Sequence, residues 1–403
     1  MKINYKSLDE SSIPLIDLSR LSAYREYLHV LIASAQRLLK NKLLSASIYH
    51  NIFSNLLCSK HSVYYRRGRA DLLSYIWPNN EPLLIPIWHD NDEYLITRSS
   101  SFWYSKYPFF TQLDHSSFHL DNRNFVRQCP NTDCPSILLS DNNHFGHFCY
   151  DSLSITSLVS SLPYFYNLST VSILPLDIKQ SIRLSFQFLA RLSKSTGLNS
   201  YPDFTINEDF LSFKTHTSSI IYFQDLVQFF QSNTFVSHFI WRNFWLPKIN
   251  HFSSTSKSIN DLARYKKVFL IRTGSFQSRV HNISEITAYL ESLGFISLDP
   301  VEHSLEDLIH ILANSDVVVS EAGSSLINAG LFTSEHTQII GLIPSSLLLD
   351  PSDNMIAGGL PYFLPFIDRI NFVLGQTIHS TSIQSSDIAY YSISDLSTII
   401  STI

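Results

Sequence analysis

The spacing of apolar positions along this chain changes sharply after residue 265, and the C-terminal third is the most legible part. Val268-Phe-Leu-Ile271 is an unbroken apolar run, the pattern of a strand covered on both faces. Asn282-Ile-Ser-Glu285 has capping-box spacing, apolar Ile286, Tyr289, Leu290 and Leu293 follow at helical spacing, and Gly294 ends the segment. Phe295-Ile-Ser-Leu298 predicts a second strand, and Ser304-Leu-Glu-Asp307 opens a second helix running to about Asn314. Val317-Val-Val319 predicts a third strand, Ser324 to Phe332 a third helix, and Gln338-Ile-Ile-Gly-Leu-Ile343 a fourth strand. Strands alternating with helices imply right-handed crossovers and a mostly parallel sheet, with ligands bound beyond the carboxyl ends of the strands. Those ends are Arg272, Ser320 and Pro344.

The first part of the chain carries weaker patterns. Between Leu21 and Ala46, Leu28, Leu31, Ile32, Ala35, Leu38 and Leu39 recur at helical spacing with basic residues between them, predicting an amphipathic helix packed on its own domain. Residues 83–165 mix short β-like runs, Leu83 to Ile87 and Ser136 to Leu139 among them, with turn residues, and read as α/β. His251-Phe-Ser-Ser-Thr-Ser-Lys-Ser258 is polar and Ser-rich and reads as a linker. The chain therefore divides into an N-terminal domain, 1–255, and a C-terminal domain, 256–403. There is no internal repeat, and the segment after His379 is Ser- and Ile-rich without a decisive pattern.

Composition narrows the class. Of 403 residues 44% are hydrophobic and 16% charged, which describes a packed globular protein rather than a disordered one. Net charge is −5 and no basic stripe with interleaved aromatics points to nucleic acid. No apolar run approaches the ~20 residues of a membrane span, and the opening MKINYKSLDESS lacks the apolar core of a secretory signal. Cys58, Cys129, Cys134 and Cys149 fit no common zinc spacing and read as reduced thiols.

Three groups of residues carry candidate chemistry. The turn Ser320-Glu-Ala-Gly-Ser-Ser325 joins a strand to a helix, which aims backbone N–H groups and a helix N-terminus at one point. It has neither Walker nor GxGxxG spacing. Gly323 permits close backbone approach, Ser324 or Ser325 can cap the helix or donate to phosphate, and Asn328 lies one turn further on the same face. Glu321 is the unusual member: it either accepts from a sugar or ribose hydroxyl or points away. Arg272 leaves a buried strand, and Arg279 lies in the loop before the next helix. Their planar, permanently charged guanidinium groups suit a diphosphate, and surface ion pairing is the plainer alternative. Asn282 and Glu285 have a capping job in competition with ligand contact. In the first half, Asn142-Asn-His-Phe-Gly-His-Phe-Cys-Tyr-Asp151 is dense in His and Asp. His147 and Asp151 share a face if a helix begins near Gly146. Their spacing fits a buried structural hydrogen bond, an acid–base pair, or a metal site with His144 as a third ligand.

Taken in order, these segments resemble glycosyltransferase family 61. The resemblance covers about residues 140–160 and 265–345. It is carried by Arg272, by Arg279-Val-His-Asn282-Ile-Ser-Glu285, by Gly294-Phe295 and Glu306, by Ser320-Glu-Ala-Gly323-Ser-Ser-Leu326-Ile-Asn328, and by His147-x-x-x-Asp151. Two positions depart from the family pattern. Ala322 stands where a histidine is frequent, and Ser324-Ser325 replaces Ala-Gly.

The resemblance implies an α/β, GT-B-like architecture of two Rossmann-like domains facing a cleft, with the donor on the C-terminal domain and the acceptor on the N-terminal one. It implies inversion at the anomeric carbon, a nucleotide-diphosphate sugar as donor substrate, no cofactor and no required metal. On this expectation Asp151, His147 and Glu321 are the catalytic candidates. Arg272, Arg279, Gly323, Ser324, Ser325, Asn328, Asn282 and Glu285 are the donor-binding ones. The expected acceptor is a saccharide, lipid-linked and destined for a bacterial surface polysaccharide of capsule or lipopolysaccharide type. The expected setting is the cytoplasm, with peripheral contact at the inner membrane face and no nucleic-acid partner. Two rivals are a non-catalytic sugar-binding or scaffold relative and a metal-dependent hydrolase centred on His144, His147 and Asp151.

Overall fold

The computed structural model describes residues 2–7, 13–58, 62–76, 82–90, 93–98, 117–119, 126–128, 136–138, 170–174, 203–206, 219–223, 233–255, 265–272, 278–349, 363–379 and 388–403. The chain forms two compact units, residues 1–21 with 60–240, and residues 22–59 with 241–403. The described residues form both helices and strands. Among the described residues no helix is long and apolar enough to cross a membrane.

The first unit is built on a mixed eleven-stranded sheet. Its long strand Ser62–Ile76 pairs antiparallel with Pro82–Asp90, which includes the expected 83–87 run. Beyond it lies a parallel block: Ser136–Leu138, Thr170–Leu174, Asp203–Ile206 and Ser219–Phe223. In space their order is third, second, first, fourth. That order reverses direction between Ser136–Leu138 and Ser219–Phe223.

In the second unit the C-terminal strands and helices fall close to where the apolar pattern puts them. In chain order they are β1 (Lys267–Leu270), β2 (Ile296–Leu298), β3 (Val317–Glu321), β4 (Gln338–Pro344), β5 (Ile370–His379) and β6 (Ile388–Tyr390). The helices of eight residues or more are α1 (Ser22–Lys40), α2 (Leu246–Thr255), α3 (Ile283–Ser292), α4 (Leu305–Ala313), α5 (Ser324–Phe332) and α6 (Ile393–Ser401). The sheet order is β2-β1-β3-β4-β5-β6, parallel except for β6. This curled six-stranded sheet is compatible with a Rossmann-like fold. The chain moves from β1 outward to β2 and then returns across β1 to β3. The switch point therefore lies between β1 and β3.

Helices cover both faces. Phe269, Val319, Ile340, Leu342 and Val373 pack with Ile286 and Leu290 of α3, Leu396 of α6 and Tyr391. Alternate residues Val268, Leu270, Val318, Ile339 and Ile343 are equally buried. On that side α5 packs against β3 and β4, and α2, α4 and α5 pack on one another. Burial on both faces is why β1, β3 and β4 read as unbroken apolar runs rather than alternating ones. Ser304 caps α4 by accepting from the Asp307 N–H at 3.1 Å, and Gly294 follows α3 at φ +82°.

Two features of the second unit differ from the sequence reading. The Ser-rich segment expected as a linker is helical through Thr255, because Trp245, Leu246 and Ile249 are buried and hold α2 in place. The N-terminal amphipathic helix, α1, belongs to the second unit. It buries Tyr24, Tyr27, Leu28, Leu31 and Ala35, and Tyr27 donates its hydroxyl to the Pro365 carbonyl at 2.8 Å. The compact units thus divide at about residues 21, 59 and 240, and residue 255 lies inside the second one.

Candidate functional site

β1 and β3 end side by side, with Leu270 opposite Ser320. The two segments that leave them at the switch point bring Arg272 and Gly323 together. Gly323 has φ +111°, a conformation that L side chains rarely adopt, and it is the N-cap of α5. Its carbonyl accepts from the Ile327 N–H at 3.1 Å. A β-carbon here would collide with Arg272 Nη2 and lie 3.2 Å from Arg272 Cζ and 3.5 Å from Arg279 Nη1. Both guanidinium groups therefore converge on the bare backbone at the start of one helix.

Neither serine caps α5. The N-cap is the glycine itself, and among the described residues no side chain makes a cap hydrogen bond here, so the outward N–H groups of the first turn can meet a ligand. Ser324 is exposed and accepts from Arg272 Nη2 at 3.4 Å, and the Ala322 carbonyl accepts from the same nitrogen at 3.5 Å. Ser325 and Asn328 are buried in α5.

Glu321 lies beneath this turn with no exposed surface. Its Oε2 accepts from the Arg279 N–H at 2.7 Å and the Ser278 hydroxyl at 3.0 Å. Its Oε1 is 3.7 Å from Arg272 Nε and takes no hydrogen bond. Burial raises its pKa. The Arg272 charge, the two hydrogen bonds and the Arg279 charge oppose that rise.

The loop bearing Arg279 is fastened on its other side by the end of the chain. The Arg279 carbonyl accepts from the Ala389 N–H at 2.9 Å, and His281 donates back to the Ala389 carbonyl at 2.8 Å. Asn282, expected to cap α3, makes no cap bond. Its amide instead pairs with the backbone of Tyr391: Nδ2 donates to the carbonyl at 2.9 Å and Oδ1 accepts from the N–H at 3.1 Å. A carboxamide carries the same donor–acceptor pair as a peptide, and two such bonds to the backbone just past β6 outweigh a single cap bond. Glu285 accepts from Asn282 Nδ2 at 3.2 Å and from the Tyr390 hydroxyl at 3.5 Å. Beside them, on the same carboxyl-end face, is a polar recess of about 720 Å³ lined by His281, Ser284, Glu285, Gln376, Thr377 and Tyr390 among others.

Of the residues singled out in the sequence, the structure thus joins Arg272, Arg279, Glu321, Gly323 and Ser324 in one cluster. Asn282 and Glu285 lie at the adjoining recess. His144, His147 and Asp151 lie outside the described residues, beyond the carboxyl end of Ser136–Leu138 in sequence. Sequence reasoning missed Ser278, Ala389 and Tyr391. The one available signal was Ser392-x-x-Asp395 before Leu396, Ile399 and Ile400, a capping pattern that marks α6 and hence an ordered segment ahead of it.

Such a cluster can hold a small polyanion. Two guanidinium groups, a serine hydroxyl and uncapped helix N–H groups meet at a switch point. A family model described as Glycosyltransferase 61 matches residues 145–340, a span that includes His147, Asp151, Arg272, Arg279 and the Gly323 turn. No curated protein matches the chain.

Proposed function

On the premise that residues 145–340 match glycosyltransferase family 61, we propose that this glycosyltransferase moves a sugar from a nucleotide-diphosphate donor to a saccharide acceptor with inversion. The observation that carries this reading is the convergence of Arg272 and Arg279 on the Gly323 turn at the start of α5. Each unit contains a parallel block of strands whose order reverses once, which supports a GT-B-like architecture with the donor on the second unit.

In the reaction an acceptor hydroxyl attacks the anomeric carbon as the bond to the diphosphate oxygen breaks. Arg272, Arg279, Ser324 and the first N–H groups of α5 stabilise the charge that develops on the departing diphosphate, each contact contributing about 2–4 kcal/mol to the transition state. Asp151, alone or through His147, removes the acceptor proton. The acceptor is a lipid-linked saccharide at the inner membrane face, in surface-polysaccharide assembly. No metal is needed, since the arginines and helix dipole neutralise the leaving group. Incubation with a panel of nucleotide sugars, with and without EDTA, tests this: donor hydrolysis or transfer that survives chelation is expected. Failure with every donor, or activity restored only by added manganese or zinc, contradicts it.

A further inference from the structure

Glu321 puts a carboxylate where an anion-binding site tolerates one least. It closes β3 two residues before Gly323 and is completely buried. Oε2 is occupied by the Arg279 N–H and the Ser278 hydroxyl, whereas Oε1 faces Arg272 Nε at 3.7 Å without a hydrogen bond. Four described residues face this carboxyl. Arg272 comes from the segment after β1, Ser278 and Arg279 from the loop before α3, and Tyr391 from the segment after β6. The Tyr391 hydroxyl is itself buried without a hydrogen-bond partner.

We propose that Glu321 is the positioning residue of this site: it holds Arg272 by charge and the Arg279 backbone by hydrogen bonds while no ligand is bound, and it takes up one proton from solvent at Oε1 when a diphosphate binds. The proposal rests on the diphosphate reading of the site. Two guanidinium groups over one glycine repel each other, and a buried carboxylate balances that charge in the absence of ligand. An arriving diphosphate competes for Arg272, leaving Oε1 as an unbonded charge beside another anion. Burial already favours the protonated form, so the ligand supplies only the remaining push. Protonation at Oε1 leaves both hydrogen bonds to Oε2 intact, and the Arg279 loop stays in place.

Isothermal titration of the full-length protein with inorganic pyrophosphate, in buffers of different ionisation enthalpy, counts the protons exchanged on binding. Glu321→Gln keeps the size and an oxygen acceptor but cannot take the proton. Wild type is expected to take up more protons per pyrophosphate than Glu321→Gln, by up to one. Its affinity relative to that variant should improve as pH falls. Arg272→Gln is the second variant. Removing the Arg272 charge removes the largest of the causes that hold the Glu321 pKa down, so the extra uptake should shrink. A merely structural Glu321 would lower affinity or melting temperature without changing the proton count. Equal counts in wild type and Glu321→Gln, or wild-type uptake in Arg272→Gln, overturn the proposal. Absence of any pyrophosphate binding by wild type overturns the diphosphate reading and this proposal with it.

Discussion

The guanidinium of Arg272 occupies the space that a β-carbon on Gly323 would need, so the placement of that side chain depends on the absence of one at the turn. Gly323→Ala must both push Arg272 aside and hold alanine at φ +111°. The backbone strain is expected to cost about 1–3 kcal/mol of stability, and nucleoside diphosphate affinity should fall at least tenfold because Arg272 is displaced. Titration calorimetry beside a melting curve checks both. Unchanged affinity would separate Arg272 from the ligand.

The buried carboxyl of Glu321 makes stability depend on pH in a stated direction. Its folded pKa is raised above the ordinary 4.5, chiefly by burial. Between 4.5 and that raised value the folded protein holds a proton that the unfolded chain has released. The contribution of Glu321 to stability is therefore complete below 4.5 and is lost as pH rises through the folded value. The melting temperature of wild type minus that of Glu321→Gln should decline with pH across that window and then level off. A difference that rises with pH would mean that Arg272 and the two hydrogen bonds outweigh burial.

Arg369 is a structural counterpart to the site arginines. It donates to the carbonyls of Gly330, Thr333 and Ser334 at 3.1, 3.4 and 2.6 Å, and to Thr333 Oγ1 at 3.0 Å, closing the C-terminal end of α5. Arg369→Gln should lower stability by about 2–4 kcal/mol through orphaned carbonyls. Diphosphate affinity of the folded protein should change less than twofold, since the other end of α5 is untouched. Chemical denaturation and calorimetry on the same samples distinguish this from a ligand-binding role.

For the acceptor base, Asp151→Asn should leave donor binding nearly intact and lower turnover about 100-fold or more. His147→Ala should behave alike if the two act as a unit, and the double variant should be little worse than either. A purely structural pair loses melting temperature first and activity in proportion. A folded, donor-binding Asp151→Asn protein with near-normal turnover contradicts the assignment.

What the sequence made legible follows from the range of the interactions involved. β1, β3 and β4 announce themselves because a doubly covered parallel strand is apolar at nearly every position, and Gly323 stands out because a strand-to-helix turn needs its freedom. Arg272 followed directly, as the first charge after a buried strand. The clamp on Arg279 did not. It joins Asn282 to Tyr391 across 109 positions of chain, and nothing local in Asn282-Ile-Ser-Glu285 distinguishes an amide that caps a helix from one that pairs with distant backbone. The placement of α1 was hidden for the same reason: amphipathic spacing says that one face is covered and not by what. The Ser-rich end of α2 looked like a linker because its helical state is set by buried neighbours rather than by its own propensities.

Nucleoside diphosphate titration of wild type against Arg279→Ala decides whether Arg279 and the Gly323 turn bind the diphosphate of a sugar nucleotide. Wild type should bind saturably, with a melting temperature that rises with ligand. In the variant, affinity should be weaker by tenfold or more, corresponding to about 1.5–3 kcal/mol for a charge-assisted contact. Equal affinity in the two folded proteins would contradict it.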